Sequence, residues 1–342
     1  MAEEAKVNFY RIHKCGYYQR GTNSPEFCGI SELFSELQSW AFDGNKPLSE
    51  TCTYKPDDEG NNLHTYCFAL KRMQNGDILF TTWNETETID GSFASVNGAE
   101  PAGNASVSTS SIPANHIPGY PTYFWFIPQK NAFATLRFNQ RANGHQGLKM
   151  LLSEFLAKFT SFTVYEQLEE NDEEVIVGYR KQPIDEPRKL HPVFKSYPAR
   201  IPGQIEYLKS NREKIKKIIR KNLLLPVNQD DRTFWQKLCN NIGLTSSPQL
   251  AGELKIRFEV PLSPSSNELD EIISEWESEE GSSWNNVGFE LAGDSEIRWL
   301  SHALVKTTID IEISRDSSNI VLLGSLADAI ALHRDTLLGV LE

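Results

Sequence analysis

The sequence has no run of eighteen consecutive apolar residues, so no membrane-crossing helix is expected. Its opening, MAEEAKVNFYRIHK, offers no apolar core of the kind a secretion leader uses, and a cytoplasmic location is the corresponding expectation. The five cysteines, Cys15, Cys28, Cys52, Cys67 and Cys239, form no Cys-x-x-Cys pair, and no histidine cluster completes a zinc site. An odd, unevenly spaced set reads as reduced thiols in a cytosolic protein, not as a disulfide framework. Also missing are a G-x-S-x-G elbow, a P-loop and a dinucleotide fingerprint. These absences set aside a membrane span, a disulfide scaffold, a zinc module and the commonest hydrolase and nucleotide sites.

The remaining hints of chemistry are weak. Glu253-Leu254-Lys255 imitates the E-x-K half of a metal-dependent nuclease site, but the nearest upstream acids, Asp230 and Asp231, precede a predicted helix instead of ending a strand. His64 and Cys67 are three residues apart, on opposite faces of a predicted strand, and make no dyad. Asp294, Arg298 and His302 fall near one turn, where polar side chains facing water are ordinary. The expectation is a non-enzymatic protein without catalytic residues, metal or cofactor.

What is present supports a folded core. The chain has 342 residues, of which 39% are hydrophobic and 11% aromatic, enough for two ordinary domains. Lys6–His13 reads as an opening strand, and Ile30, Leu33, Phe34, Leu37 and Trp40 recur at helical spacing after a start at Gly29 or Ser31. Two β-rich runs flank Gln74-Asn75-Gly76, a strong hairpin signal. Residues 84–118 have no period and read as a long loop. The aromatic run Gly119–Pro128 and its partner Asn131–Asn139 form a second hairpin, whose rings are expected in the core. His145–Phe159 is an amphipathic helix, followed by two strands around an acidic turn. The predicted fold is α+β, antiparallel sheets with packed helices in two domains: 1–182, a proline-rich basic connector at 183–203, and 204–342.

One stretch reverses the sign of the chain. The formal net charge is -12, yet Lys209, Arg212, Lys214, Lys216, Lys217, Arg220 and Lys221 stand against the single acid Glu213. Leu208, Ile215, Ile218, Ile219 and Asn222 approximate one helical stripe, and Pro226 ends it, so the segment is predicted to be a basic helix. Arg188, Lys189, Lys195 and Arg200 extend the charge through the connector. Such a surface neutralises phosphates in salt-dependent fashion, or it docks on the chain's own acids, for example Glu268, Asp270, Glu271, Glu275, Glu277, Glu279 and Glu280, or on those of a partner subunit. Electrostatics leaves both open.

The order of segments resembles that of the RexA-type phage-exclusion proteins. The matching pieces are Asn8-Phe9-Tyr10, the hairpin from Tyr66-Cys67-Phe68 to Asp77-Ile78-Leu79-Phe80-Thr81, Gly119-Tyr120-Pro121 before an aromatic strand, the basic run Arg212–Pro226, and the stretch Asn286–Leu338. The resemblance implies a two-domain homodimer that binds DNA or a phage nucleoprotein and signals to a membrane-associated partner in anti-phage defence. One departure concerns Val287–Asp294. This strand carries basic DNA contacts in that family and is acidic here, so nucleic-acid contact is expected to fall to the basic helix and connector. An adaptor that senses a phage or host protein is the alternative, and a nuclease comes third.

Overall fold

A computed structural model describes residues 2–55, 63–86, 92–96, 107–138, 144–167, 174–201, 204–224, 254–278, 286–294 and 296–341. In chain order the elements are β1 (Ala2–Tyr18), α1 (Ile30–Gln38), β2 (Thr65–Arg72), β3 (Ile78–Glu85), β4 (Ser92–Val96) and β5 (Val107–Ser111). Next come β6 (Gly119–Ile127), β7 (Ala132–Arg137), α2 (His145–Lys158), β8 (Thr163–Gln167), β9 (Glu174–Tyr179), β10 (His191–Pro198) and α3 (Gln204–Ser210). The chain continues with β11 (Ile215–Leu224), β12 (Leu254–Val260), α4 (Ser266–Ser278), β13 (Asn286–Leu291), β14 (Arg298–Trp299), β15 (Lys306–Glu312) and α5 (Leu323–Leu341). The fold is α+β and built on antiparallel sheets. Among the described residues no helix is long and apolar enough to cross a membrane.

The chain divides into two compact units, Met1–Tyr197 with Lys306–Glu342, and Pro198–Val305. The first is organised on a seven-stranded sheet of order β10-β1-β7-β6-β3-β2, with β15 also paired to β1. Alternation along β6 sends its side chains to two faces. Phe124 and Phe126 join Phe80 and Phe133 beneath α1 and α2, whose Leu33, Phe34, Leu37, Leu151, Leu152 and Phe155 are fully buried. The Phe34 ring meets Phe126 edge-on at 4.5 Å. Trp125, on the opposite face, donates to Asp77 at 3.0 Å, and Arg334 of α5 donates to the same carboxylate at 2.8 Å. Burial of the aromatic run agrees with the sequence reading.

Local chemistry explains several boundaries. Gly29 is the N-cap of α1, and the Glu32 carboxylate accepts from the backbone N–H groups of Cys28 (2.7 Å) and Gly29 (3.3 Å). Gly16 (φ +120°) has no room for a side chain, because a Cβ there would stand 2.4 Å from the Cys28 carbonyl oxygen. Asn75 and Gly76 (φ +85°) turn the chain between β2 and β3. Within residues 84–118, β4 and β5 pair as a hairpin where a loop without period was expected.

The long-range connections differ from the sequence reading in one respect. Residues 306–342 do not stay with 204–305: β15 lies antiparallel to the first half of β1, with Ala2 opposite Glu312 and Asn8 opposite Lys306. The second unit is therefore inserted between two strands that both neighbour β1. The connector carries β10, which ends the path of the sheet and holds Pro192 and Pro198, as prolines require of an edge strand.

Candidate nucleic-acid interface

The predicted basic helix is mostly a strand. α3 ends at Ser210, a single 3-10 turn covers Arg212–Lys214, and β11 begins at Ile215. β11 pairs with β12 on one side and β13 on the other, inside a four-stranded sheet of order β12-β11-β13-β14. β-branched Ile215, Ile218 and Ile219 suit that pleated surface better than a helix. The helical spacing has a physical origin. A bulge between Ile215 and Lys217 inserts one residue, so Ile215 and Ile218 share a face although they are three apart. Both pack on Leu269, Ile273 and Trp276 of α4 and on Phe289 of β13. The helix predicted after Asp231 and Glu253 of the E-x-K motif lie outside the described residues.

The cations of this stretch are largely matched by carboxylates of their own unit. Lys209 meets Asp270 at 2.6 Å, and Arg220 meets Glu275 at 3.3 Å, both acids on α4. Lys217 lies between Glu259 (2.9 Å) and Glu290 (3.4 Å), supplied by the two flanking strands. Its hydrogen bonds to Glu259 and Glu290 raise the Lys217 pKa, and the same Lys217 bond, followed by one from Arg257, lowers that of Glu259. Lys221 lies 4.2 Å over the Trp299 ring. Arg212 stands 3.6 Å from its neighbour Glu213, and Lys214 donates to the Asn211 side chain at 2.9 Å. Lys216, the bulge residue, is exposed and makes no ion pair among the described residues. The acidic strand at Glu290 and the basic segment thus meet as neighbours in one sheet.

The connector cations divide between the units. Arg200 belongs to the second, where it bridges to Leu304. Arg188, in the first, pairs with Glu26 at 3.1 Å. Phe194 points into the first core, so the alternating residues His191, Val193, Lys195 and Tyr197 take the outward face of β10, and Lys189 stands exposed just before the strand. Lys195 sits over the Tyr197 ring at 5.4 Å, and His13 of β1 approaches that ring at 6.1 Å. Beside this row lies an open cleft of about 240 Å³, walled by His191 and Val193 from β10 and by Lys14, Tyr18, Arg20 and Asn23 from the end of β1 and its turn. Lys14, Arg20, Lys189 and Lys195 have no carboxylate partner among the described residues.

Lys14, Arg20 and His191 were not singled out in the sequence. They stand far apart in the chain, and only the pairing of β10 with β1 assembles them. The other chemical hints resolve as ordinary contacts. His64 hydrogen-bonds Glu85 instead of Cys67, and Arg298 pairs with Asp294 at 2.6 Å while stacking on Tyr207. Burial pushes the Cys15 thiol up to about 12 and raises that of Cys67 as well. Among the described residues no group of three His, Cys, Asp or Glu side chains is placed to hold a metal ion. Comparison with family models, with curated proteins and with solved structures returns no match.

Proposed function

We propose that this chain is a non-enzymatic recognition protein of anti-phage defence, and that it holds nucleic acid through the outward face of β10 and the neighbouring turn of β1. The observation that carries the choice of surface is the contrast in pairing. Lys209, Lys217 and Arg220 meet carboxylates, whereas Lys14, Arg20, Lys189 and Lys195 meet none among the described residues. A phosphate that approaches the β11 sheet must displace a carboxylate already in place. One that approaches β10 displaces only water and counterions. Lys189, just before β10, and Lys195, within it, are both exposed, and each is free to meet a backbone phosphate without reading bases. The defence role, the homodimer and the membrane-associated partner rest on the resemblance in segment order.

The test is salt-dependent binding of single- and double-stranded DNA to the full chain. Reversing Lys189 and Lys195 to Glu is expected to abolish binding, and neutralising them is expected to lower the salt slope by about 0.7–0.9 per lost phosphate contact. Lys214→Glu with Lys216→Glu should leave binding in place. The reverse pattern would return the interface to the β11 segment and overturn this assignment. A parent protein that binds no DNA at low salt, yet retains a partner from infected cells after nuclease treatment, would establish the protein-sensing alternative instead.

A further inference from the structure

The cleft beside β10 differs from the rest of the basic face in being concave and prearranged. Its floor is a tight turn: the Thr22 N–H donates to the Gln19 carbonyl at 3.1 Å, and Gly21 takes φ +87°, the conformation required at the third position of a type II turn. Lys14 is held at the wall, its Nζ donating to the Thr22 carbonyl at 3.1 Å and lying 4.9 Å over the Tyr18 ring. A lysine already fixed by these contacts loses less rotamer freedom when it takes up an anion. Arg20 occupies the exposed corner of the turn, and His191 faces it from β10. No carboxylate lines the cleft. In a chain of net charge -12, two permanent cations and a histidine around one concavity, without an acid, form a local field that favours an anion.

We infer that this cleft is a phosphate site, taking the 5′-phosphate of a nucleotide that is either free or the end of a strand. At about 240 Å³ it is smaller than the usual 300–1,000 Å³ of sites that enclose a whole ligand. It fits a compact anion whose organic part lies outside. Arg20 supplies the planar fork that binds two phosphate oxygens together, Lys14 supplies a point charge, and His191 adds a donor when protonated. For the strand-end source the inference rests on the nucleic-acid reading above; for the free source it does not.

Calorimetric titration of the full chain with inorganic phosphate and a nucleoside 5′-monophosphate tests it, alongside two single-stranded oligonucleotides that differ only in a 5′-phosphate. Arg20→Gln and Lys14→Gln are expected to weaken phosphate and mononucleotide about tenfold or more. Arg20 is exposed and makes no hydrogen bond, ion pair or ring contact among the described residues, so that variant should fold. Lys71→Gln, on the remote strand β2, should change nothing. A preference for the 5′-phosphorylated strand that disappears in Arg20→Gln identifies the strand end. Mononucleotide binding without oligonucleotide binding keeps the cleft and removes the nucleic-acid reading. Oligonucleotides bound equally with and without the 5′-phosphate, together with no saturable binding of phosphate or mononucleotide, would overturn the cleft and leave the β10 row standing. So would affinities unmoved by both variants.

Discussion

Single ion pairs here carry different weights, and burial decides which matter. Arg315 grips Glu3 in a two-pronged contact, Nε to Oε1 at 2.8 Å and Nη2 to Oε2 at 2.7 Å, with side chains only 20% and 25% exposed. The Arg315 hydrogen bond holds the Glu3 carboxyl below its usual range. Because the folded pKa lies below the unfolded value of about 4.3, this stabilisation is fully present above that pH and is lost as pH falls through the folded value. Arg315→Met should cost about 1 kcal/mol near neutrality. The gap in melting temperature between variant and parent should then close as pH is lowered from about 5 to about 3. A gap that stays constant across that range would show that Arg315 acts through its hydrogen bond to the Asn319 carbonyl (2.6 Å) and its packing on Phe138 (5.4 Å), not through Glu3. None of this is legible in the sequence, where Glu3 and Arg315 stand at opposite ends.

Local elements were legible wherever one period ran unbroken. The Asn75-Gly76 turn, the buried aromatic strand β6 and the leucine face of α2 all follow from alternation or helical spacing between clear stop signals. β11 was not, because its bulge converts strand alternation into an apparent helical stripe. Its charges then become a matter of cross-strand neighbours, with Lys217 opposite Glu290 in the register with β13 and bonded to Glu259 of β12. Lys217→Glu would place three carboxylates side by side and should lower the melting temperature. Adding Glu290→Lys should restore much of the loss, and the restored part should shrink in high salt, since the pair is exposed. Independent, additive effects in that double-mutant cycle would mean that the pairing contributes nothing. Of the acids this run meets, Asp270 and Glu275 were among those the sequence suggested, whereas Glu259 and Glu290 reach Lys217 only because β12 and β13 flank β11.

At the scale of the whole molecule, the return of the chain to its first sheet was the least legible feature. β1 and β15 lie some 300 residues apart, and because loop-closure cost grows only by about 0.6 kcal/mol per doubling of length, burial and pairing at the sheet can offset the greater cost of a distant strand. Nothing in a local window marks that choice. The ends of the second unit lie together: the Val305 N–H donates to the Ala199 carbonyl at 2.8 Å, and Arg200 bridges Leu304. On either side of that clasp, β10 and β15 both neighbour β1. The first unit keeps its whole sheet, α1, α2 and α5 without residues 198–305. Joining Tyr197 to Lys306 through a short Gly/Ser linker should therefore give a folded protein with one cooperative transition. Truncation after Val305 should not, because it removes β15 from beside β1, and removes α5 together with Arg334, leaving the fully buried Asp77 carboxylate without its guanidinium. If the linked protein also retains phosphate binding in the Lys14–Arg20 cleft, recognition resides in the first unit. A linked protein that folds but binds neither phosphate nor DNA would place recognition in the inserted unit and refute the assignment to β10.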